Sequence, residues 1–356
     1  MASATLAPGV SVGTAAAPAA WVDHSRGMIV TRTPLRVSFA GGGTDLAAFY
    51  DHEDGAVFST AIARYVYVTV KRHGEVFDEN VRIAYSSAES VGSVDEVRND
   101  IARECLRLLE IEPPIYVSII GDLPASTGLG GSSAFCVGLL HALHTLRGER
   151  VTAGQLAEEA SHIEIDVLGE PIGKQDQYAA AFGGLNLFTF RTGGGVTVEP
   201  AQRTGGALGD LFDHVAMFWT GHQRDAGAVL GEQRARTGSK LDALRTMRDH
   251  AYRLQASLCD GRFDAREFGA VLDESWQLKR GLASTITNPA IDAWYARAMD
   301  AGALGGKLLG AGGGGFLLFI VEPSRREAVR AALPGLVDVP VAPEAHGSRV
   351  LSGGDR

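Results

Sequence analysis

Residues 124–135 combine the residue types that bind phosphate through the backbone. They read PASTGLGGSSAF, a glycine-rich turn that ends in two serines and continues into an apolar stretch. The glycines allow a ligand to approach the backbone closely, because they carry no Cβ atom. Ser132 or Ser133 could cap the helix that follows, whose first N–H groups would face the anion. The segment therefore predicts a phosphate site large enough for a nucleoside triphosphate, with a plain glycine-rich connection as the alternative.

Two better-known phosphate loops do not match this segment. A Walker loop requires a lysine directly after its second glycine, and no lysine follows a glycine of this loop. The dinucleotide fingerprint requires a second parallel strand that ends in an acidic residue, whereas residues 151–160 have the pattern of a helix. A Rossmann oxidoreductase is therefore disfavoured.

A cation and a carboxylate flank one tight turn in residues 31–50, TRTPLRVSFAGGGTDLAAFY. Arg36 precedes the three glycines of this turn, and Thr44 and Asp45 follow them. Asp45 can accept hydrogen bonds from sugar-like hydroxyls, and Arg36 can stabilise charge on a phosphoryl group. The alternatives are a strand-surface charge for Arg36 and a helix N-cap for Asp45.

Paired carboxylates occur in residues 162–184, HIEIDVLGEPIGKQDQYAAAFGG. Glu164 lies near the end of a predicted helix and Asp176 at the start of the next, with a turn rich in glycine and proline between them. The turn can bring both carboxylates to one site, where one holds a divalent cation and the other orients or deprotonates a hydroxyl. Lys174 can lower the pKa of Asp176 or bind a substrate anion. Solvated helix charges and a surface lysine are the alternatives.

A second glycine-rich stretch lies at residues 307–321, KLLGAGGGGFLLFIV. Each glycine in a regular element costs roughly 0.5–1 kcal/mol relative to alanine. We therefore expect its backbone to approach a bound ligand or another backbone closely. A turn that only lets two elements pack together is the alternative.

The elements that must position these residues follow from hydrophobic periodicity. Strands are predicted at residues 29–39, 57–59, 65–71, 82–85, 115–120, 215–220 and 316–321. Helices are predicted at residues 94–109, 133–146, 152–167, 227–260, 263–280 and 289–301. The pattern indicates an α+β protein whose domain boundary lies in the polar, glycine-rich stretch near residues 190–210.

Composition narrows the class of protein. The chain has 356 residues, 45% of them hydrophobic and 21% charged, with a net charge of −9, as expected for a globular enzyme with small ligands. It lacks the basic, aromatic-rich runs of nucleic-acid-binding proteins, and no apolar run approaches the roughly 18 residues that cross a bilayer. Cys105, Cys136 and Cys259 have none of the spacings of a zinc site or disulfide framework, which suits a reducing cytoplasm.

Taken in order, the motif segments resemble the three signature motifs of the GHMP kinases, the superfamily of galactokinase, homoserine kinase, mevalonate kinase and phosphomevalonate kinase. The phosphate loop resembles PxxxGLGSSA, with Ser126 where a glycine is common and Gly131 beside the serines, and the last segment resembles K-x-x-GAGGGG. The resemblance extends from about Ile29 to Val321. The combination of PLRVSFAGGGTDL, HIEIDVLGEPIGKQDQYAAAFGGLN and KLLGAGGGG most resembles the D-glycero-D-manno-heptose 7-phosphate kinases.

The resemblance implies a two-domain α+β fold with the active-site cleft between the domains. The N-terminal half would be like domain 2 of ribosomal protein S5, and the C-terminal half like ferredoxin. The expected limits are a disordered tail at 1–27, an ATP-binding domain at 28–205, a C-terminal domain at 206–345 and a flexible tail at 346–356.

The implied reaction is transfer of a phosphoryl group from ATP, with Mg²⁺, to the anomeric hydroxyl of heptose 7-phosphate. A fucose-like or galactose-like acceptor and a catalytically silent sugar sensor are the alternatives. The expected partners are ATP and a sugar phosphate in the cytoplasm, without nucleic acid or membrane, and a homodimer is left open.

The resemblance also implies roles for individual residues. The catalytic residues would be Asp176 and Arg36, and the metal ligands Glu164 and Ser133, with Ser132 as the alternative serine. ATP would contact Pro124, Thr127, Gly128, Leu129, Gly130, Gly131, Ser132 and Ser133. The substrate would contact Asp45, Gly43, Thr44, Lys174, Gly312 and Gly313.

Overall fold

The protein is described by a computed structural model that covers residues 27–74, 77–201, 206–223, 226–259 and 263–352. Its strands are β1 (Ile29–Ala40), β2 (Gly55–Lys71), β3 (Val81–Ala84), β4 (Ala88–Val91), β5 (Ile115–Gly121), β6 (Leu185–Phe190), β7 (Val196–Pro200), β8 (Val215–Trp219), β9 (Ala303–Leu308), β10 (Phe316–Val321), β11 (Val337–Asp338) and β12 (Arg349–Ser352). Its α-helices are α1 (Ala47–Tyr50), α2 (Asp100–Leu108), α3 (Gly131–Leu146), α4 (Ala153–Ser161), α5 (Gln175–Phe182), α6 (Ala207–His214), α7 (Ala226–Arg236), α8 (Leu241–Cys259), α9 (Ala265–Arg280), α10 (Pro289–Asp300) and α11 (Arg326–Ala332).

The first sheet has eight strands, and β2 is the strand from which it is built. The order is β12-β1-β2-β5-β3-β4, while β6 pairs with the first half of β2 and with β7. All pairs are antiparallel except β3 with β5. Helices α3, α5 and α8 pack against β1 and β2, which explains why the first half of β2 is buried at every residue.

The second sheet has four antiparallel strands in the order β11-β8-β10-β9. Helices α9 and α10 pack against β9. The backbone of α9 comes so close to β9 that a Cβ atom at Gly305 would lie 1.8 Å from the carbonyl oxygen of Gly269. Glycine is therefore required at this crossing.

The predicted elements agree with the structure except where a local feature joins or divides them. The two strands predicted at 57–59 and 65–71 are one strand, β2. The helix predicted at 94–109 is a 3₁₀ turn followed by α2, because the Asn99 side chain caps α2 by accepting a hydrogen bond from Ala102 N at 2.9 Å. The helix predicted at 227–260 is likewise divided into α7 and α8.

Sequence periodicity missed several short elements. Strand β7 lies inside the stretch near 190–210 that was interpreted as a domain boundary, and β6 directly before it is buried at every residue. Strand β9 was missed because three of its six residues are glycine or alanine. The domain limits at 28–205 and 206–345 stay a prediction.

The expectation of a flexible tail over 346–356 is wrong for the described part, up to Ser352. Strand β12 pairs with the outer edge of β1, which gives the backbone groups of that edge hydrogen-bonding partners. Just before it, Ser348 N donates to Ala180 O at 3.0 Å, and Thr33 Oγ1 donates to Ser348 Oγ at 2.8 Å. The end of the chain therefore belongs to the first sheet. The predicted tail at 1–27 falls, up to residue 26, outside the described residues, as do residues 353–356.

Cys105 of α2 and Cys136 of α3 lie together in the core of the first sheet's helical layer, with their sulfur atoms 3.7 Å apart. Both are free thiols. Across the described part of the chain, no helix has the length and apolar character needed to cross a membrane.

Removing residues 345–356 is expected to lower the thermal unfolding midpoint by several degrees. The truncation deletes the β12 ladder and the hydrogen bonds of Ser348, each worth about 1 kcal/mol. Circular dichroism melting would measure the shift. Removal of residues 353–356 alone is the matched control, and equal midpoints for the two truncated proteins would show that β12 contributes no stability.

Candidate active site

One cavity of about 330 Å³ collects most of the residues that the sequence analysis singled out. It lies where β1 of the first sheet meets β9 of the second. The predicted site residues on its wall are Arg36, Gly43, Asp45, Thr127, Gly128, Gly130, Gly131, Ser132, Ser133, Glu164 and Asp176. The fold therefore brings the separate segments to a single site.

The phosphate loop ends in a helix that begins without a side-chain cap. Gly130, with φ +75° and ψ +27°, is the N-cap of α3, so the expectation that Ser132 or Ser133 caps the helix is wrong. The serines lie in the first turn instead, where helical N–H groups have no partner within the helix. This leaves their hydroxyls for Glu164, and Ser132 Oγ donates to Glu164 Oε1 at 2.7 Å. The helix end faces the cavity with free backbone donors, as anion binding requires.

The loop is fixed to β1 by one arginine. Arg36 N donates to Leu129 O at 3.1 Å, and its guanidinium donates to Gly128 O at 2.7 Å. Thr127 also fixes the loop, because its hydroxyl donates to Pro124 O at 3.1 Å. Leu129 is buried and Pro124 is exposed, and neither side chain lies on the cavity wall.

The second glycine-rich stretch packs directly on the phosphate loop. A Cβ atom at Gly310 would lie 2.4 Å from Gly128 Cα, and one at Gly315 would lie 2.4 Å from Thr127 O. These glycines therefore serve the approach of two backbones. Gly312 and Gly313, predicted to contact substrate, pack against Ile286 instead, where Gly313 N donates to the Ile286 carbonyl at 2.6 Å. Neither glycine lines the cavity, and their contact with substrate stays a prediction.

An ion pair lies at the centre of the cavity wall. Arg36 Nε donates to Asp176 Oδ1 and Arg36 Nη2 to Asp176 Oδ2, both at 2.7 Å. The arginine is buried, so the alternative of a strand-surface charge is wrong. Asp176 stands in the first turn of α5 with about a quarter of its side chain exposed, so its carboxylate remains accessible from the cavity.

Asp45 is buried beside this pair. Its carboxylate accepts hydrogen bonds from Gly43 N at 2.8 Å and from Gln175 Nε2 at 2.9 Å. Burial is the main cause that raises the pKa of Asp45, with a further contribution from the charge of Asp176. Asp45 is not a helix N-cap, since Leu46 holds that position in α1.

Two predicted substrate residues do not reach the cavity. The Thr44 hydroxyl is buried and bonds to Gly41 O and to the backbone of Ala56, so it stabilises the turn. Lys174 Nζ donates to Glu158 Oε2 at 3.3 Å and to Gly194 O at 3.2 Å. The lysine is directed toward α4 and the β6–β7 turn, away from the cavity, and its assignment to the substrate is corrected.

Glu164 is a buried carboxyl group on a π-helical turn, His162–Val167, that continues α4. Ser132 and Gln177 donate hydrogen bonds to it at 2.7 and 2.6 Å. Burial raises the pKa of Glu164 to about 7, against the opposing effect of hydrogen bonds from Ser132, Ser133 and Gln177. The alternative of solvated helix charges is therefore wrong for Glu164.

The oxygen atoms of Ser132, Ser133 and Glu164 are suited to a magnesium ion. The hydroxyls of Ser132 and Ser133 and the carboxylate of Glu164 are hard oxygen ligands, the type that Mg²⁺ prefers. In the described part of the chain, no cluster of three or more His, Cys, Asp or Glu side chains is arranged to hold a metal. These residues fit Mg²⁺ only in the usual way of nucleotide sites, in which phosphate oxygens and water complete the coordination.

A buried histidine connects α3 to α4. His144 of α3 contacts Glu149 through Nδ1 at 2.7 Å and Glu159 of α4 through Nε2 at 2.8 Å. These carboxylates raise the pKa of His144 through hydrogen bonds, Glu159 first. The contact joins the helix that follows the phosphate loop to the helix that leads to Glu164.

Sequence reasoning missed several polar residues on the cavity wall, among them Ser38, Glu170, Gln175, Gln233 and Lys307. Lys307 opens the second glycine-rich motif, and this position was the one available signal. Gln233 comes from the poorly periodic α7, and no sequence feature distinguished it.

Two family models of known proteins match the chain. Residues 96–184 match the family model of the GHMP kinases N terminal domain, and residues 254–337 match that of the GHMP kinases C terminal domain. A D-glycero-alpha-D-manno-heptose 7-phosphate kinase of Campylobacter jejuni is 30% identical over 321 residues, which cover 86% of this chain and 93% of that protein.

Solved structures give the same result. A D-glycero-D-manno-heptose 1-phosphate kinase of Bacteroides thetaiotaomicron is 26% identical with a TM-score of 0.74, over 91% of this chain and 99% of that one. A galactokinase of Lactococcus lactis in complex with galactose is 18% identical with a TM-score of 0.73, over 92% of this chain and 96% of that one, and shows the fold alone. The predicted α+β GHMP kinase fold is confirmed.

The substitution Glu164→Gln is expected to raise the thermal unfolding midpoint at pH 8 in metal-free buffer. The folded pKa of about 7 lies above the ordinary value of 4.5, so the folded protein keeps a proton that the unfolded chain releases. This group therefore favours folding below pH 4.5, and its contribution is lost as the pH rises through 7. Glutamine stays neutral and avoids that loss.

Scanning calorimetry at pH 5 and pH 8 would measure the effect, which should be larger at pH 8. Glu327→Gln, at an exposed position of α11, is the control. A Glu164→Gln protein with a midpoint at or below the wild-type value at pH 8 would contradict the prediction.

Proposed function

The chain belongs to the GHMP kinase family, and from this membership and the geometry of its cavity we propose that it is an ATP-dependent sugar kinase whose acceptor is D-glycero-D-manno-heptose 7-phosphate. The product would be the 1,7-bisphosphate, with the new phosphate on the anomeric oxygen. The observation that carries the proposal is the bidentate Arg36–Asp176 pair beside the glycine-rich phosphate loop, on one cavity wall.

The phosphate loop is proposed to bind the triphosphate of ATP. Backbone N–H groups at the start of α3 and the positive end of the helix dipole favour an anion at this position. Gly128 and Gly130 have positive φ angles, +83° and +75°, that let the loop curve around the phosphates. The packing of Gly310 against Gly128 keeps that curve in place before ATP binds.

Ser133 and Glu164 are proposed to hold Mg²⁺, with Ser132 beside them. When bound, the ion neutralises negative charge on the phosphate oxygens. Glu164 must lose its proton to act as a ligand, and the hydrogen bonds from the serines and Gln177 favour the charged form.

Transfer would form a bond between the acceptor oxygen and the terminal phosphorus of ATP as the bond from that phosphorus to the ADP oxygen breaks. The proton of the acceptor hydroxyl would be released to water. Arg36 would stabilise charge on the transferring group, because its guanidinium lies between the loop and Asp176. Asp176 would accept the hydrogen bond of the acceptor hydroxyl. Both of its oxygens already accept from Arg36, which favours a role in orienting the hydroxyl and leaves each oxygen a second lone pair for it.

The sugar is proposed to lie against Asp45, Gln175 and Gln233. Asp45 and Gln175 are bonded to each other, so they present a fixed pair of acceptor and donor atoms to hydroxyl groups. Leu230 and Met247 supply the apolar part of the same wall. The choice of heptose 7-phosphate over other sugars rests on the motif combination and on the similarity to the Campylobacter jejuni protein.

A coupled assay of ADP formation over phosphorylated and free sugars tests the acceptor. We expect the highest kcat/KM with heptose 7-phosphate. A higher kcat/KM with free fucose or galactose would show that the protein is a kinase with a different acceptor. ATP binding without turnover on any sugar would favour the catalytically silent sugar sensor.

Asp176→Asn is expected to lower kcat by at least about a hundredfold, the usual scale for loss of a group that acts directly on the reacting hydroxyl. The Kd for ATP should change little, because the loop keeps its backbone contacts. Single-turnover kinetics and nucleotide titration would measure the two quantities. Asp242→Asn, at an exposed position of α8, is the control. Near wild-type kcat in the Asp176→Asn protein would remove Asp176 from the reaction.

A further inference from the structure

Lys307 is a buried cation on the wall of the active-site cavity. It lies in β9 with 4% of its surface exposed, and it lines the cavity together with Arg36 and Asp176. Its ammonium donates a hydrogen bond of 2.8 Å to Phe39 O in β1. That bond uses one of the three N–H groups of a charged lysine.

Lys307 has no carboxylate partner among the described side chains. The cavity wall carries the carboxyl groups of Asp45, Glu164, Glu170 and Asp176, but Asp176 is held by both branches of Arg36, and no ion pair of the described residues includes Lys307. Lys279 of α9 adds a third cation to the wall, while Asp45 is raised in pKa toward its neutral form. Burial first, and repulsion from Arg36 second, lower the pKa of Lys307 to about 7.

A buried ammonium without a carboxylate partner is costly, and proteins seldom keep one except where a ligand completes the site. Packing of β9 does not require this charge, because a methionine would fill the same volume without one. Because Lys307 lines the cavity next to Arg36, we expect its anionic partner to lie in the cavity and not in the protein interior. A phosphoryl group is the anion that a kinase cavity receives.

We infer that Lys307 binds a phosphoryl group of a ligand in this cavity and takes up a proton as that ligand enters. The inference rests on the proposed kinase function. Two sources supply the same chemistry: the terminal phosphoryl group of ATP, and the phosphate that a phosphorylated sugar already carries. Either phosphoryl group would favour the charged form of Lys307, because its negative charge would lie close to the ammonium.

The change of proton uptake with pH follows from the charge of Lys307 before the ligand binds. At pH 6 Lys307 is mostly charged before binding and takes up little, whereas at pH 8 it is mostly neutral and takes up most of one proton. Uptake assigned to Lys307 should therefore increase from pH 6 to pH 8. Glu164 and the nucleotide also exchange protons, so the quantity to compare is the difference between wild type and Lys307→Met.

Isothermal titration calorimetry in two buffers of different ionisation enthalpy measures that difference. The probes are ADP and the non-hydrolysable ATP analogue AMPPNP, each with Mg²⁺. If Lys307 meets the terminal phosphoryl group, Lys307→Met weakens AMPPNP by about tenfold to a hundredfold, the scale of a charge-assisted hydrogen bond, and leaves ADP nearly unchanged. Proton uptake at pH 8 falls in the same variant.

Steady-state kinetics tests the second possible source of the phosphoryl group, the phosphorylated sugar. If Lys307 meets the phosphate of the acceptor, Lys307→Met raises KM for heptose 7-phosphate by a similar factor and leaves KM for the unphosphorylated heptose unchanged. Lys174→Met is the matched control, because Lys174 is held by Glu158 and Gly194 away from the cavity. The control should behave as wild type in both arms.

A purely structural role for Lys307 has a different signature. If the lysine only joins β9 to β1, Lys307→Met lowers the thermal midpoint while proton uptake, nucleotide affinities and both KM values stay at wild-type levels, and the inference is overturned. Under our inference the midpoint stays equal or rises, because a buried charge is removed. Failure of wild type to bind AMPPNP at all would overturn the kinase proposal as well, so the two failures are distinguishable.

Discussion

A single buried guanidinium connects three segments of the cavity wall. Arg36 reaches from β1 to the carbonyl of Gly128 in the phosphate loop and to both oxygens of Asp176 at the start of α5. Three segments far apart in the sequence therefore have one shared partner, whose planar donors fix distance and direction together. The phosphate loop and Asp176, which we propose to meet the nucleotide and the acceptor, therefore have fixed positions relative to each other.

Around that pair, close backbone packing limits where the phosphate loop can move. Gly310 and Gly315 let the second glycine-rich stretch lie against Gly128 and Thr127 with no side chain between them. The motif was expected to serve a ligand or another backbone, and the contacts show that it serves the backbone. Its entropy cost as glycine is offset by a loop that needs little reorganisation on binding.

Electrostatics at the same site are arranged for ligands that carry charge. Glu164 and Lys307 are both buried, and burial shifts both toward neutral forms, with pKa values near 7. Each group would regain its charge beside a partner of opposite sign, a cation for Glu164 and an anion for Lys307. The ligand-free protein thus carries an unfavourable charge distribution that a metal and a phosphate would relieve, as is common at functional sites.

The sequence by itself determined the motifs, the order of the long elements and the family, because periodicity and glycine placement are local properties of the chain. It could not decide which side chains face the cavity, since direction depends on neighbours distant in sequence: Lys174 turns to Glu158, and Thr44 bonds within its own turn. Only the tertiary structure placed Lys307 beside Arg36 and paired β12 with β1. Burial and charge environment arise when the two sheets meet, and those properties, more than residue type, decide what each group at the site can do.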